Sequence, residues 1–158
     1  MTEIYGMAGH LIRRLNQISA SIFADRMRAA GFDITPVQFA ALSTIAEHPS
    51  IDQATLAGLI AYDRATLGGV VDRLEAKGLI ARTVRKTDRR SRVLTLTDAG
   101  RVLLDSIKPI VWDLQSQILS GLDDGERDEM LRLLRKAADA GNELSRAPLQ
   151  LKSNKEPC

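Results

Sequence analysis

The chain has a single cysteine, Cys158, and it is the last residue. A lone thiol makes no internal disulfide and supplies no Cys pair for a metal site. Histidine is almost as scarce, with only His10 and His48. No Cys/His constellation for zinc or nucleophilic catalysis can be assembled from these residues. The Gly-x-Gly-x-x-Gly, phosphate-loop and His-Glu-x-x-His patterns are also missing. These gaps argue against an enzyme and give no reason to expect a cofactor or a metal. Aromatic residues make up 4% of the chain, too few for the stacking platforms of RNA or single-strand binders. No apolar run approaches the roughly 18 residues of a membrane span. Met1 to Tyr5 lacks the basic start and apolar core of a signal peptide. The compartment expected from this combination is the cytoplasm.

What is present is an ordinary globular composition, 44% hydrophobic and 27% charged over 158 residues. That length suits one domain, or one domain plus an extension. The net charge of +2 is unevenly spread. Between Arg64 and Arg101 stand ten basic and four acidic residues, net +6. The remainder holds twelve basic and sixteen acidic residues, net −4. A charge run is ordinarily a solvated face. This one coincides with a helix followed by a hairpin, which points to nucleic acid.

The helix begins at Asp63, a good N-cap, and carries Leu67, Val70, Val71 and Leu74 as one apolar stripe. Gly78 is its expected stop. In the hairpin, Ile80, Arg82 and Val84 alternate on the way up. Arg92, Leu94 and Leu96 alternate on the way down, with Val93, Thr95 and Thr97 on the opposite face. Arg85, Lys86, Arg89 and Arg90 lie between the strands.

Before this unit, Gly6 to Ala30 reads as a long helix with a seam of Leu11, Leu15, Ile18 and Ile22, ended by Gly31. Thr35, Pro36 and Gln38 make a capping box for a second helix that ends at His48-Pro49. Its buried face draws on Val37, Ala40, Ala41, Leu42 and Ile45. Ser50-Ile51 is a candidate short strand, and Asp52 or Ser50 caps a third helix that buries Leu56, Leu59 and Ile60. The third and fourth helices have helix-turn-helix spacing. After the hairpin, Thr97 caps a fifth helix that Pro109 should kink and Gly121 should close. Asp123 and Glu126 box a sixth, which extends through Gly141 to Leu144. Pro148 to Cys158 reads as a polar, disordered tail. The terminal helices carry more apolar surface than a small winged helix covers, so a homodimer is expected, and a two-fold dimer suits a palindrome. The expected divisions are an N-terminal dimerisation helix (1–34), a winged helix-turn-helix (35–97), C-terminal dimerisation helices (98–147) and a tail (148–158). The fold class is mainly α, with the small α+β character of a wing.

Thr66-Leu67, Val71 to Glu75, Lys77 to Ile80, Arg82, Asp88-Arg89-Arg90 and Leu94 to Gly100 resemble the signature of the MarR family of bacterial transcriptional regulators. The order of elements is similar over nearly the whole chain. The resemblance implies a homodimer on a palindromic operator in double-stranded DNA, usually a repressor. It also implies release by a small molecule, often an aromatic acid or its thioester. An activator, a redox sensor using Cys158 and a protein-binding winged helix are the alternatives.

On the fourth helix, Arg64, Ala65, Thr66, Gly68, Gly69 and Arg73 lie off the apolar stripe. Arg64 and Thr66 are best placed for base edges. Gly68-Gly69 either lets the backbone deep into the groove or packs on the second or third helix. Arg73 and Lys77 suit phosphate, with an internal ion pair as the other reading of Arg73. The resemblance makes Arg90 the minor-groove residue of the wing. Asp88 would orient the loop by pairing with Arg90 or Arg92, while Arg85, Lys86 and Arg89 would meet phosphate. Thr35, Gln38, Gln53 and Thr55 are further candidates for backbone contacts at helix N-termini. For an aromatic acid, Tyr5, His10 and Arg14 are the first candidates, with Arg13 as substitute and Trp112 as a wall. The plainer reading of these is solvated or cross-dimer surface.

Overall fold

A computed structural model describes residues 3–151, except for the side chains of residues 89–91. A short 3-10 turn, Glu3–Gly6, leads into helix α1, Ala8–Ala29. Helix α2 is Pro36–Glu47, α3 is Gln53–Leu59 and α4 is Arg64–Ala76. Strands β1, Ile80–Arg85, and β2, Asp88–Leu96, form an antiparallel hairpin. Helix α5, Asp98–Ile118, and helix α6, Asp124–Ala140, follow, with a last 3-10 turn at Asn142–Leu144. The architecture is mainly helical with a small two-stranded sheet, a winged helix-turn-helix between flanking helices.

The local signals hold. Thr35 accepts from the Gln38 N–H, and the Gln38 side chain accepts from the Thr35 N–H. Asp123 and Glu126 form the second reciprocal box. Asp52, rather than Ser50, caps α3. Ile51 bridges Leu94, so the short third strand forms as a single pair and ties the helix-turn-helix to the wing. Leu42, Ile45, Leu56, Leu67, Val71 and Leu74 converge with Ile80 and Leu94 in one core. Leu104, Ile107 and Leu114 of α5 extend it, and Phe23 and Met27 of α1 complete it.

The joint between α4 and α5 is tightly specified. Gly78 takes φ +72°, a conformation that only glycine adopts without strain. The Thr97 hydroxyl donates to the Gly78 carbonyl at 2.6 Å and accepts from the Gly100 N–H at 3.0 Å. A Cβ on Gly100 would lie 2.0 Å from the Leu79 carbonyl oxygen. The start of α5 is therefore pressed onto the turn that follows α4.

Helix α5 continues through Pro109 as one helix. Several expectations change. Helix α5 ends at Ile118, before Gly121. Helix α6 stops at Ala140, and Leu144 is 90% exposed in the following turn. Residues 148–151 are not a free tail. Asn142 holds Leu149 by two hydrogen bonds, and the Gln150 N–H donates to the Gly58 carbonyl at 2.8 Å. The rest of the expected tail, including Cys158, lies outside the described residues. No helix among the described residues is long and apolar enough to cross a membrane.

Candidate nucleic-acid interface

Helix α4 is fixed by its buried stripe and by its N-cap. Its stripe of Leu67, Val70, Val71 and Leu74 is buried, which turns Arg64, Ala65 and Thr66 out to solvent at its N-terminus. Asp63 caps it, accepting from the Thr66 N–H at 3.0 Å and from the Thr66 hydroxyl at 2.8 Å. These bonds, first that from the hydroxyl, hold the Asp63 carboxyl below its ordinary pKa. The Thr66 hydroxyl proton is thus committed to the cap, leaving its methyl free of that bond. Gly68 and Gly69 lie half-buried on the same side. A Cβ on Gly68 would meet only the Gln53 side chain at 3.6 Å, and one on Gly69 only the Arg73 side chain at 3.4 Å. Neither distance demands glycine, so close helix packing is not the reason for the pair.

The wing is longer and narrower than the pattern implied. Pairing runs from Ile80↔Leu96 to Arg85↔Asp88, leaving only Lys86 and Thr87 at the turn. Arg85 closes β1, while Arg89 and Arg90 belong to β2. Asp88 faces Arg85 across the ladder. Arg85, Lys86, Asp88 and Arg92 are all exposed. The side chains of Arg89 and Arg90 are outside the described set. Arg82 was not among the candidate site residues, yet it orients the wing. Its guanidinium pairs with Asp72 and, at 3.3 Å, with Glu75, both on the solvent side of α4. The clue in the sequence was a pair of acids on α4 facing a basic strand, but it needed the hairpin register to become visible.

Other candidates make contacts within the chain. Gln38 is 5% exposed, its side chain consumed by the capping box, so it is not available to DNA. Lys77 reaches back to the Asp33 carboxylate at 2.9 Å, tying the end of α4 to the α1–α2 connection. Arg73 is exposed and donates to the Gly69 carbonyl of its own helix at 3.2 Å. Thr55 donates its hydroxyl to Asp52 at 2.8 Å. Burial pushes the Asp52 carboxyl up, but the hydrogen bonds from Thr55 outweigh it and the net pKa is lowered, with the Arg85 charge helping. Thr35 is exposed but caps α2, and Gln53 is half-buried against Gly68.

The effector candidates separate. Tyr5 and His10 stack edge-on at 5.5 Å, and Arg13 approaches His10 at 3.4 Å. Arg14 instead lines a neighbouring cleft of about 400 Å3 with Leu11, Leu15, Ile18, Ile118 and Met130. Trp112 is 77% exposed and lies far from them. Its neighbour Asp113 bonds Arg26 at 2.6 Å, sixteen residues beyond His10, or about 24 Å along α1. Within one chain Trp112 is therefore no wall for the Tyr5–His10 group. Among the described residues, His10 Nε2 and Ser43 Oγ are shielded from solvent without a hydrogen-bond partner. Ser43, on α2, carried no sequence signal.

An exposed helix N-terminus and a basic hairpin on one surface define a winged helix-turn-helix regulator. Known proteins agree. The MarR family model matches residues 34–91. The transcriptional repressor NicR of Pseudomonas putida is 33% identical over 138 residues, 87% of this chain and 86% of its own length. The structure of Bordetella bronchiseptica BpsR, whose DNA binding is regulated by 6-hydroxynicotinic acid, superposes with a TM-score of 0.78 at 32% identity. It covers 84% of this chain and 94% of BpsR. The repressor CouR, bound to a 23-mer DNA duplex, gives a TM-score of 0.79 at 29% identity, covering 87% and 96%. The chain belongs to the MarR family of transcriptional regulators.

Proposed function

We propose that this regulator is a homodimeric repressor that binds a palindromic operator and is released by a small aromatic acid. The observation that carries the DNA reading is the joint placement of Arg64, Ala65 and Thr66 on α4 with the Arg85–Lys86 hairpin that Arg82 clamps to it. Arg64 reads base edges, aided by the Thr66 methyl and by the bare backbone at Gly68 and Gly69. Arg73, Arg85, Lys86 and Arg89 meet phosphate, Asp88 orients the turn, and Arg90 enters the minor groove. Arg90→Ala lowers operator affinity and leaves the dimer intact, whereas Arg64→Ala relaxes base preference.

Dimerisation rests on α6, which buries none of its residues within the chain. Leu131, Leu133 and Leu134 are 44–49% exposed, beside an apolar trough of about 620 Å3 along Met130 and Ala137. Leu11 and Ile18 of α1 are similarly uncovered. A second copy is the economical cover, with 1–34 and 98–147 as the pairing parts and 35–97 as the reading head. The effector seat lies between copies, where the Tyr5–His10–Arg13 group of one subunit can approach the other and Arg14 is close by. The shielded His10 nitrogen supports a polar ligand there. The behaviour of BpsR suggests 6-hydroxynicotinic acid as a first probe. The test is a gel shift on DNA flanking its own gene, with aromatic acids and their thioesters added. If no DNA is bound and no acid releases it, the reading fails.

A further inference from the structure

The residues after α6 turn back onto the reading head as a strap. Asn142 anchors it, accepting from the Leu149 N–H at 2.7 Å and donating to the Leu149 carbonyl at 3.1 Å. The next residue, Gln150, donates its N–H to the Gly58 carbonyl of α3 at 2.8 Å. Its side chain crosses Gly58 so closely that a Cβ there would lie 2.8 Å from Gln150 Oε1 and 3.0 Å from its Cβ. The strap crosses the front of the helix-turn-helix, where α4 begins. Arg146 and Pro148 share a cleft of about 280 Å3 with Asp63 and Arg64. Gln150 and Leu151 border Ala54, Thr55 and Arg64.

We propose that residues 146–151 are part of the DNA-binding surface, with Arg146 contacting a backbone phosphate beside the bases that Arg64 reads. This rests on the DNA-binding reading above. Asp63 is an exposed carboxylate beside the base-reading residues, a poor neighbour for phosphate. Arg146 brings a cation to the same spot from outside the helix-turn-helix, and its charge is felt at the Asp63 carboxyl. The guanidinium is exposed and so available to a ligand. A segment that blocked a DNA site would be expected to mimic phosphate with acids. From Arg146 to Leu151 there is no acid, and the one ionisable side chain is the arginine.

The test uses the full chain and a short duplex of unrelated sequence, because a phosphate contact is indifferent to sequence. Arg146→Ala flattens the plot of log affinity against log salt by about 0.9, equivalent to roughly five- to tenfold weaker binding near 0.1 M salt. Arg146→Lys keeps the slope, and neither variant changes the melting temperature. Gly58→Ala favours the helix but drives a methyl into the strap, and it loses the same slope. A wild-type slope in Arg146→Ala overturns the proposal. Tighter binding by Gly58→Ala also overturns it, since the strap would then be a cover. If the wild-type chain itself binds no duplex, the DNA-binding reading falls and this falls with it.

Discussion

Replacing Gly68 and Gly69 by alanine separates what the fold needs from what the ligand needs. Both sit inside α4, where glycine costs roughly 1 kcal/mol relative to alanine. The space for each methyl exists: 3.6 Å from the Gln53 side chain and 3.4 Å from the flexible Arg73 side chain. Each substitution should therefore stabilise the protein by up to about 1 kcal/mol, a melting shift of about 2–4 °C. On DNA the sign reverses. A methyl forced into a groove that the bare backbone fills costs about 1–3 kcal/mol, as overpacking does elsewhere. That is about five- to 150-fold in affinity. Denaturant melts and fluorescence anisotropy on the operator measure both effects in one preparation. Variants that are more stable and bind as well as wild type would refute the deep-groove argument. Variants that are less stable would refute the packing argument.

The remaining predictions address the frame. Gly100→Ala places a methyl on the Leu79 carbonyl, 2.0 Å away, and should cost about 3 kcal/mol or more, visible as a large drop in melting temperature. Arg82→Ala removes a partly exposed ion pair worth under about 1 kcal/mol, so stability changes little. Its effect should instead be faster amide exchange in the hairpin and weaker DNA binding. Lys86→Ala lowers affinity alike on all sequences and reduces the salt slope by about 1, whereas Lys77→Ala, which loses only its Asp33 partner, leaves the slope unchanged. For pH, the folded Asp52 carboxyl has a lowered pKa, so it favours the folded state when ionised. That contribution is fully present above the unfolded aspartate value of about 3.9 and is lost as pH falls through the lower folded value. Asp52→Asn should shrink the acid destabilisation in this window, as read by melts from neutral to acid pH.

The features that sequence reading recovered are those written within a few residues. Thr35-Pro36-Val37-Gln38, Asp63 with its stripe, Thr97 and Asp123-x-x-Glu126 each specify a helix start by local hydrogen bonds. The features it missed depend on distant partners. The Gln38 capping bond was legible, but its burial, which removes it as a contact residue, comes from the packing of the whole fold. Lys77 finds Asp33, forty-four residues away, and Arg82 finds Asp72 only once the hairpin folds back on α4. Trp112 seemed close to His10 until the Arg26–Asp113 pair set the alignment of α5 on α1. The C-terminal segment is polar enough to look free, yet Asn142 and Gly58 give its backbone partners.

On the proposed function, two copies of α4 and its wing engage one duplex. Sedimentation of the protein with a duplex from the DNA flanking its own gene, at saturating protein and moderate salt, tests it most directly. The expected result is a complex of two chains per duplex that dissociates as salt rises. A single chain per duplex, or no complex at any salt, would contradict it.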